Sequence, residues 1–374
     1  MPIELSSAST QILSAIRTSL QVPSNELLNT TFLNLTGGQM SGEFVATTLS
    51  ISSVNIRTKG SSNFFIGDAT TGRNDATGTH NFVFGLSAGN ALTTGSNNVF
   101  VGTCAGGINS SGGSNNFLGY KAGNANTTGG CNNFLGNCAG FNNTTGVSNN
   151  FLGRYAGQAN TAGGCNNFLG LRAGNNNTTG GSNNFFGYRA GFSNTTGSFN
   201  NFLGRDAGLG NTTGQSNNFL GVIAGLNNTT GGRNNFLGGG AGCGNSSGDG
   251  NNFFGRYAGR DNTTGSCNNF LGYRTGRGNT TGSNNIFMGC CAGYSNTVGS
   301  NNTIIGTRAN VASNSLSGVI VLGTEAIATE SNQFALGSSS WMLSTTPDTT
   351  FTGQTSSLVI RLNGTNVRIP IIPF

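Results

Sequence analysis

Arginine and tyrosine recur at two adjacent positions of a 17-residue period in this 374-residue chain. Guanidinium and phenol groups combine a large contact area with hydrogen bonding, and both residue types anchor many interfaces. Two interpretations stay open: an ordinary solvated corner whose charge keeps the protein in solution, or a stripe that contacts an acidic or glycan ligand. The candidate ligand-contact residues are Arg154, Tyr155, Arg172, Tyr188, Arg189, Arg205, Arg256, Tyr257, Tyr273 and Arg274.

No comparable pattern indicates catalysis or metal binding. His80 is the only histidine, and no motif ties it to a carboxylate or a nucleophile. The eleven acidic residues are scattered singly, so no carboxylate pair for acid–base chemistry is visible. Gly-Asp-Gly at 248–250 resembles calcium β-roll repeats, which require an aspartate in every unit, and Cys-x-x-Cys spacing is absent. We therefore expect a protein that is not an enzyme and has no cofactor or metal.

The eight cysteines occur mainly in two phases of the period. Within one phase, the nearest cysteines are two repeats apart, about 9.6 Å at a strand spacing of ~4.8 Å. This separation exceeds the ~7 Å limit for the Cα atoms of a disulfide. We predict mostly free thiols and assembly in a reducing cytosol, with disulfides between chains as the alternative.

The period itself is the strongest structural signal. Fifteen glycines from Gly85 to Gly323 close an Asn-Asn-Phe-Leu-Gly-like motif at a constant 17-residue spacing and with no insertion. A helical array tolerates drift in its loops, whereas stacked coils in register cannot change length without breaking every column. The sequence therefore predicts an all-β protein, a parallel β-solenoid or β-roll with one 17-residue coil per repeat.

Three regions follow from where the period holds. Residues 1–60 are polar and lack the repeat, and we predict that they form an N-terminal region for attachment or assembly. Residues 61–337 form the solenoid body, whose last step, from Gly323 to Gly337, is shorter than the others. Residues 338–374 form a C-terminal β cap, because two apolar, β-like segments flank an Asn363-Gly364 turn typical of a hairpin.

Columns of the repeat are numbered here from the motif glycine. Position −1 is apolar in all fifteen units, while positions −3 and −4 are mainly asparagine. Because neighbouring strand residues face opposite sides, positions −1 and −3 share one face and position −2 lies on the other. We expect −1 and −3 to line the coil interior, and the phenylalanine column to be buried between the chains or at the shared axis of a parallel homotrimer. That column contains Phe100, Phe117, Phe134, Phe151, Phe168, Phe185, Phe202, Phe219, Phe236, Phe253, Phe270 and Phe287.

The composition and charge of the chain limit which cellular locations and binding partners we expect. Charged residues are 7% of the chain and the net charge is +6, without the basic runs of a nucleic-acid module. The N-terminus lacks the pattern of a secretory signal, and no segment reaches the ~18 apolar residues of a membrane span. We expect a protein made in a host cytosol, which binds no nucleic acid and does not insert in a membrane.

Two motifs carry a resemblance to known families. Asn98-Val-Phe-Val-Gly102 and Gly318-Val-Ile-Val-Leu-Gly323 resemble head repeats of trimeric autotransporter adhesins, in which three left-handed parallel β-rolls pack around one axis. The Asn-Asn-Phe-Leu-Gly and Asn-Thr-Thr-Gly units, and the ending from Asn363 to Phe374, are similar to tail-fibre-like and virion-surface proteins of bacteriophages and large DNA viruses. The resemblance implies a trimeric fibre or spike on a virion surface.

The sequence leaves three functions to compare. The leading hypothesis is a structural fibre or spike subunit of a virus or phage particle, which presents a host-recognition surface. Its expected partners are other virion or fibre proteins, through residues 1–60, and a host-surface glycan or acidic receptor. An ice-binding β-solenoid is an alternative, since threonines near positions +8 and +9 stack into rows, although adjacent threonines face opposite sides. A cell-surface adhesin, with an extracellular location, is the other alternative.

Overall fold

The computed structural model describes residues 48–51, 54–59, 62–72, 76–338, 357–362 and 365–370, with side chains for Ile56, 62–72 and 76–338. Within these residues the chain forms 23 strands and no helix, and hence no helix that could cross a membrane. Most of the predicted attachment region, residues 1–47 above all, lies outside them, as does the Asn363-Gly364 turn.

The strands are short and follow one another at the period of the repeat. Those of the first half are β1 (Thr48–Ile51), β2 (Val54–Lys59), β3 (Asn63–Gly67), β4 (Phe82–Phe84), β5 (Val99–Val101), β6 (Asn116–Leu118), β7 (Asn133–Leu135), β8 (Asn150–Leu152), β9 (Asn167–Leu169), β10 (Asn184–Phe186) and β11 (Asn201–Leu203). Those of the second half are β12 (Asn218–Leu220), β13 (Asn235–Leu237), β14 (Asn252–Phe254), β15 (Asn269–Leu271), β16 (Ile286–Met288), β17 (Thr303–Ile305), β18 (Asn310–Val311), β19 (Ile320–Leu322), β20 (Ile327–Ala328), β21 (Phe334–Leu336), β22 (Ser357–Leu362) and β23 (Thr365–Pro370).

The predicted parallel β-solenoid is confirmed. Strands β3 to β17, β19 and β21 belong to one 19-stranded sheet and pair in parallel, each with the strand of the next coil. In the central pairs Asn184 lies beside Asn201 and Phe185 beside Phe202, a shift of one repeat. Each coil thus contributes one three-residue strand to this sheet, and turns form the other sides of the coil.

The two ends of the sheet depart from the regular coil. At the first end β1, β2 and β3 pair antiparallel, and β3 then pairs in parallel with β4 at a shift slightly longer than the period, Phe64 beside Phe82. At the other end β19 pairs with β21 at a shorter shift, Ile320 beside Phe334. There β18 and β20 add a two-stranded parallel sheet, and β22 and β23 pair antiparallel.

The phenylalanine column lies inside the coil of a single chain, which corrects the predicted orientation. Its twelve side chains from Phe100 to Phe287 are completely buried within one chain. Ring centroids of successive coils are 4.7 to 5.1 Å apart with nearly parallel planes, as between Phe168 and Phe185. The expectation that positions −1 and −3 line the interior was wrong, and both columns face outward. The physical reason is that position −2 shares its face with the asparagine at −4, and this pair fills the coil.

Two buried asparagine ladders complete the interior. At position −4, the Nδ2 of Asn200 donates to the Gly214 carbonyl at 2.9 Å, and its backbone N–H donates to the Asn183 side-chain oxygen at 2.9 Å. At position +7, the Nδ2 of Asn211 donates to the Asn194 side-chain oxygen at 2.7 Å. Buried amides are tolerated because each finds partners in its own coil and in a neighbouring one. The core therefore combines the phenylalanine column, a column of buried alanines at position +3, and hydrogen-bonded amides.

Glycine is required where the coil turns tightly against its neighbour. Gly204 has a φ of 143°, and a Cβ there would lie 2.5 Å from the Gly221 carbonyl oxygen. Gly208 has a φ of 58°, and a Cβ would lie 2.4 Å from the Phe202 ring. The first glycine permits the backbones to stack, and the second makes room for the aromatic column.

Acid is expected to loosen the first coil, where Asp68 accepts hydrogen bonds from Thr70, Thr71 and Ser87. Burial acts to raise the pKa of Asp68, but these hydrogen bonds outweigh it and lower the pKa from 3.8 to about 2. A depressed carboxyl pKa stabilises the folded state above pH 3.8, and this contribution is lost as pH falls towards 2. The protection of residues 64–72 from hydrogen exchange, relative to the intrinsic rate at each pH, should therefore fall between pH 4 and 2 more in the wild type than in Asp68→Asn. An equal loss of protection in both proteins would contradict this role.

Candidate binding surfaces

Charge on the solenoid is concentrated along one edge. We use the name basic edge for positions +1 to +6 of each coil from the one that begins at Gly119 to the one that begins at Gly323. The first of these residues is 120 and the last is 329. The basic edge holds three acidic residues, Asp206, Asp261 and Glu325, against ten of the chain's 17 basic residues. The basic residues are Lys121, Arg154, Arg172, Arg189, Arg205, Arg256, Arg260, Arg274, Arg277 and Arg308. Between residues 101 and 329, the only charged residues at other positions are Arg233 and Asp249.

The backbone fixes the spacing of the side chains on this edge. The N–H of each residue at position +2 donates to the carbonyl at position +1 of the preceding coil, as from Arg172 to Arg154 at 3.0 Å and from Arg274 to Arg256 at 3.0 Å. The Phe columns of successive coils show that this pitch is 4.8 Å in the central coils. The backbone positions that carry the +1 and +2 side chains are therefore regularly spaced along the rod axis.

Residues at position +2 adopt a left-handed backbone conformation that normally favours glycine. Tyr155, Arg172, Arg189, Tyr257 and Arg274 have φ values between 51° and 60°. Such a conformation costs a non-glycine residue about 1 kcal/mol or more. In this column glycine occurs only at Gly240 among the regular coils. Most coils of the basic edge thus carry a side chain at a position where glycine would be less strained.

All six tyrosines of the chain lie on the basic edge, each beneath a cation. The Arg154 guanidinium lies 4.7 Å from the centre of the Tyr155 ring, and that of Arg172 lies 5.9 Å from the same ring. The Arg274 guanidinium lies 5.0 Å from the centre of the Tyr273 ring. These contacts hold the arginines against the rod and reduce the conformational entropy that binding would cost. The edge is thus a row of supported cations rather than of free side chains.

Acidic partners neutralise only part of this row. Asp206 accepts from Arg189 Nε at 2.8 Å and lies 3.7 Å from Arg205 Nε, and the Asp206 hydrogen bond raises the pKa of Arg189. Arg260 pairs with Asp261 at 2.7 Å, and Arg308 pairs with Glu325. Six basic residues of the edge have no ion pair among the described residues. They are Lys121, Arg154, Arg172, Arg256, Arg274 and Arg277.

The structure adds residues that the sequence analysis did not include. Position +5 lies next to position +2, since the Arg277 N–H donates to the Arg274 carbonyl at 3.3 Å and Lys121 Nζ lies 5.9 Å from the Phe141 ring centre. Arg260, Arg277 and Tyr294 occupy position +5 in three consecutive coils. The same periodic spacing was visible in the sequence, but their proximity to the +2 column depends on the turn between them.

A second surface is apolar and uncharged. We call it the outer face: positions −1 and −3 of the sheet, whose residues alternate with the buried phenylalanines. Leu118, Leu152 and Leu203 at position −1 are 38 to 40% exposed. At position −3, asparagines from Asn116 to Asn269 form a ladder of Nδ2-to-oxygen hydrogen bonds of 2.7 to 2.8 Å between successive coils. The predicted ladder at position −3 thus forms, but on the outside of the coil.

At both ends of the outer face the asparagine ladder gives way to apolar residues. Position −3 holds Phe82 and Val99 at the first end and Ile286, Thr303 and Ile320 at the other. Phe82, Ile286 and Ile320 are 40 to 45% exposed. The outer face contains no charged residue in any of the fifteen regular coils.

A threonine row forms a third surface at position +9. Its members include Thr128, Thr179 and Thr264, which are exposed. The neighbouring threonines at +8 are engaged within the rod, because their hydroxyls donate to the carbonyl of the next coil, as from Thr178 to Thr195 at 3.0 Å. Only one of the two predicted threonine rows therefore presents its hydroxyls freely to solvent.

The remaining candidate groups are separated from one another. His80 is exposed, and its Nδ1 lies 3.0 Å from the Thr79 hydroxyl oxygen. All eight cysteines are free thiols, and burial raises the pKa of the Cys138 and Cys243 thiols. In the part of the chain that the structure describes, no three histidine, cysteine or acidic side chains come close enough to hold a metal ion.

Comparison with known proteins gives no match that could assign a role to these surfaces, so we interpret them from their own chemistry. No protein-family model, no curated protein and no solved structure matches this chain significantly. The fold is nevertheless defined by its own register: a β-solenoid repeat protein with a charged edge, an uncharged apolar face and a threonine row.

Proposed function

We propose that this protein is a structural fibre or spike subunit on the surface of a virus or phage particle, where three parallel chains form a rod that presents a host-recognition surface. The observation that carries the proposal is the outer face, an uncharged surface on which a column of exposed apolar side chains at position −1 runs the length of the solenoid. Its 14 steps from Gly85 to Gly323 span about 67 Å at ~4.8 Å per step. A rigid rod of this length holds a binding surface away from the particle.

The size of the outer face favours self-association. A strip about 67 Å long and ~10 Å wide has an area of ~670 Å² per chain. Its apolar side chains at position −1 form one continuous column, whereas apolar residues on the surface of a monomer are usually scattered singly. Two such strips bury about 1,300 Å², within the range of stable protein interfaces. The asparagine amides of the ladder are already hydrogen-bonded to one another, so the cost of removing them from water is reduced.

The pattern along the outer face favours parallel chains of the same protein. In a parallel arrangement, the apolar ends at Phe82 and at Ile320 meet their counterparts at equal height, and ladder asparagines meet ladder asparagines. In an antiparallel arrangement, the two apolar coils at the first end of one chain would lie against the longer apolar segment at the opposite end of its neighbour. The two apolar segments would then differ in length. Equal coil spacing keeps this match over the whole rod.

Charge on the outer face is expected to dissociate the assembly. We expect light scattering to give the mass of a trimer for the wild type and of a monomer for Leu203→Asp/Leu220→Asp/Leu237→Asp, because three carboxylates per chain would be buried without partners. The matched control, Thr213→Asp/Thr230→Asp/Ser247→Asp, changes the same three coils on the threonine row and should remain trimeric. A monomeric wild type would contradict self-association, and a dimer would contradict the threefold arrangement.

The particle assignment has its own test. Mass spectrometry of purified virus or phage particles should find the protein as a stoichiometric surface component, and labelling should place it outside the capsid. The predicted attachment through residues 1–60 should make a truncated chain that begins at residue 61 trimeric but absent from particles. Absence of the full chain from particles would contradict the virion role.

Ice binding is the second candidate, supported by the exposed threonine row at position +9. Thr178 and the other residues at position +8 donate their hydroxyls within the rod, so one row of hydroxyls would meet ice instead of two. The fibre is favoured because the outer face also requires a partner, and ice binding by the threonine row does not provide one. Thermal hysteresis by the purified protein would support the alternative.

A further inference from the structure

We propose that the basic edge binds a linear acidic polysaccharide that lies along the rod axis. The inference deepens the proposed host-recognition role by naming the chemical class of the ligand. It starts from the charge count, ten basic residues against three acidic on one edge of an otherwise almost uncharged solenoid. Had charge served solubility alone, there would be no reason for it to avoid the other sides of the rod.

The arrangement of the cations matches an extended polymer. From Lys121 to Arg308 the edge spans eleven coil steps, about 53 Å at ~4.8 Å per step. The cations occupy three neighbouring columns, at positions +1, +2 and +5, which run along the rod axis, so they can follow one extended chain over many coils. A polymer that bears an acidic group on each sugar or on every second sugar can place a charge beside the unpaired arginines of successive coils.

Two segments of the edge carry the free charge. The first contains Lys121, Arg154 and Arg172, and the second contains Arg256, Arg274 and Arg277. Between them, the Asp206 ion pairs and the neutral residues Val222, Ile223, Gly239 and Gly240 interrupt the row. A polymer long enough to reach both segments gains from two linked contacts, whereas a short oligosaccharide contacts only one.

The second segment has hydrogen-bonding capacity that the protein does not use. Arg274 Nε and Arg277 Nε are both buried from solvent and have no hydrogen-bond partner within the described residues. An unpaired buried donor is costly, so each guanidinium gains if it turns outward and donates its Nε–H to an acceptor on a bound ligand. Arg274 and Arg277 belong to the same coil, on either side of its turn. A carboxylate or sulfate ester placed over this turn would receive charge-assisted hydrogen bonds.

The tyrosines favour a polysaccharide over a nucleic acid. Single-stranded nucleic acids are held by aromatic rings on which the bases stack. Here each tyrosine ring has a cation near its centre, as with Arg256 at 4.8 Å from Tyr257, so one face of every ring is taken. A straight row also suits duplex DNA poorly, because a helical phosphate backbone returns to one side only once per turn of about 34 Å.

The test measures binding of the full-length protein to dextran sulfate, polygalacturonate, neutral dextran and single-stranded DNA, with chain lengths matched. We expect both acidic polysaccharides to bind and neutral dextran not to bind. Binding should weaken as salt rises, because charge contacts release counterions. DNA of matched charge that binds as tightly as the polysaccharides would overturn the polysaccharide assignment in favour of a nucleic acid.

Substitutions on the edge separate specific contacts from overall charge. Arg256→Gln/Arg274→Gln/Arg277→Gln should weaken binding of dextran sulfate about 10- to 100-fold, since an exposed ionic contact contributes up to about fivefold. Arg274→Gln is matched by Arg233→Gln, which removes one charge at a similar φ, 54° against 57°, but off the edge. Arg274→Gln should weaken binding several-fold, and Arg233→Gln less than about twofold. Equal losses from the two would overturn an edge site.

A gain-of-binding variant keeps the test independent of stability. Asp206→Asn frees Arg189 and Arg205, and asparagine is well suited to the left-handed backbone at this position. Dextran sulfate should bind this variant about two- to fivefold more tightly than the wild type. Unchanged or weaker binding would contradict the proposal. Since trimer mass and particle location are measured without polymer, failure here and failure of the fibre role are distinguishable.

Discussion

Replacing Phe168, Phe185 and Phe202 together by serine is expected to unfold the solenoid itself, rather than only to separate chains. The three rings are completely buried in one chain and stack at 4.8 Å. A large-to-small change at a buried phenylalanine costs about 3–5 kcal/mol, so three changes cost roughly 9–15 kcal/mol. That total is comparable with the whole stability of a typical domain, about 5–15 kcal/mol. Circular dichroism should show loss of β structure, and urea unfolding should begin at much lower concentration.

The matched control for this experiment lies one residue further along each strand. Leu169, Phe186 and Leu203 occupy the same three coils but point outward. Their replacement by serine should weaken association and preserve the β-sheet signal. The opposite result, in which the inner triple variant keeps its β signal and only dissociates, would place the phenylalanines between chains and contradict the observed interior.

Insertion of one residue after Gly204 is expected to disrupt the stack, while insertion of a full repeat unit is expected to be tolerated. After the single insertion, Phe219 and every later phenylalanine is displaced by one position relative to the coils before it, and a one-residue slip turns a strand's buried face outward. Both asparagine ladders would lose their partners at the same point, since Asn200 and Asn217 are bonded directly, at 3.0 Å. A duplicated 188–204 unit instead repeats every column and lengthens the rod by about 4.8 Å.

Thermal unfolding and small-angle scattering would check both insertion variants. The single-residue variant should unfold at a markedly lower temperature, and the unit-duplication variant should match the wild type and show the longer rod. Equal stability of the two variants would mean that the coil absorbs the extra residue as a surface bulge, and that strict register is not needed.

The repeat period by itself determined the solenoid and its register. The constant spacing from Gly85 to Gly323 requires coils of equal length, and the observed pairs, such as Asn184 with Asn201, follow that spacing. The shorter step before Gly337 is equally visible in the pairing of Ile320 with Phe334. Period is determined by the sequence alone because each coil can stack only on a coil of the same shape.

Which face of the strand points inward was decided only by the tertiary structure. In Asn201-Phe202-Leu203 both Phe202 and Leu203 are apolar, so alternation separates the two faces but does not tell which is buried. Closure of the coil decides, because the buried asparagine Asn200 at −4 lies on the face of Phe202 and finds its partners across the interior, including the Gly214 carbonyl. Hydrogen bonds between opposite sides of one coil are not encoded in the local pattern.

The sequence likewise predicted one part of the basic edge, and the structure was needed for the rest. Its columns at positions +1 and +2 were visible in the sequence because they vary within a strict period, and Arg256 and Arg274 are indeed neighbours in space. Arg277 joins them only because the turn after Arg274 brings position +5 back to the edge. Ion pairs such as Arg189 with Asp206, which decide where free charge remains, also depend on the stacking of coils. Sequence periodicity defines the columns, and the path of the turns decides which columns meet.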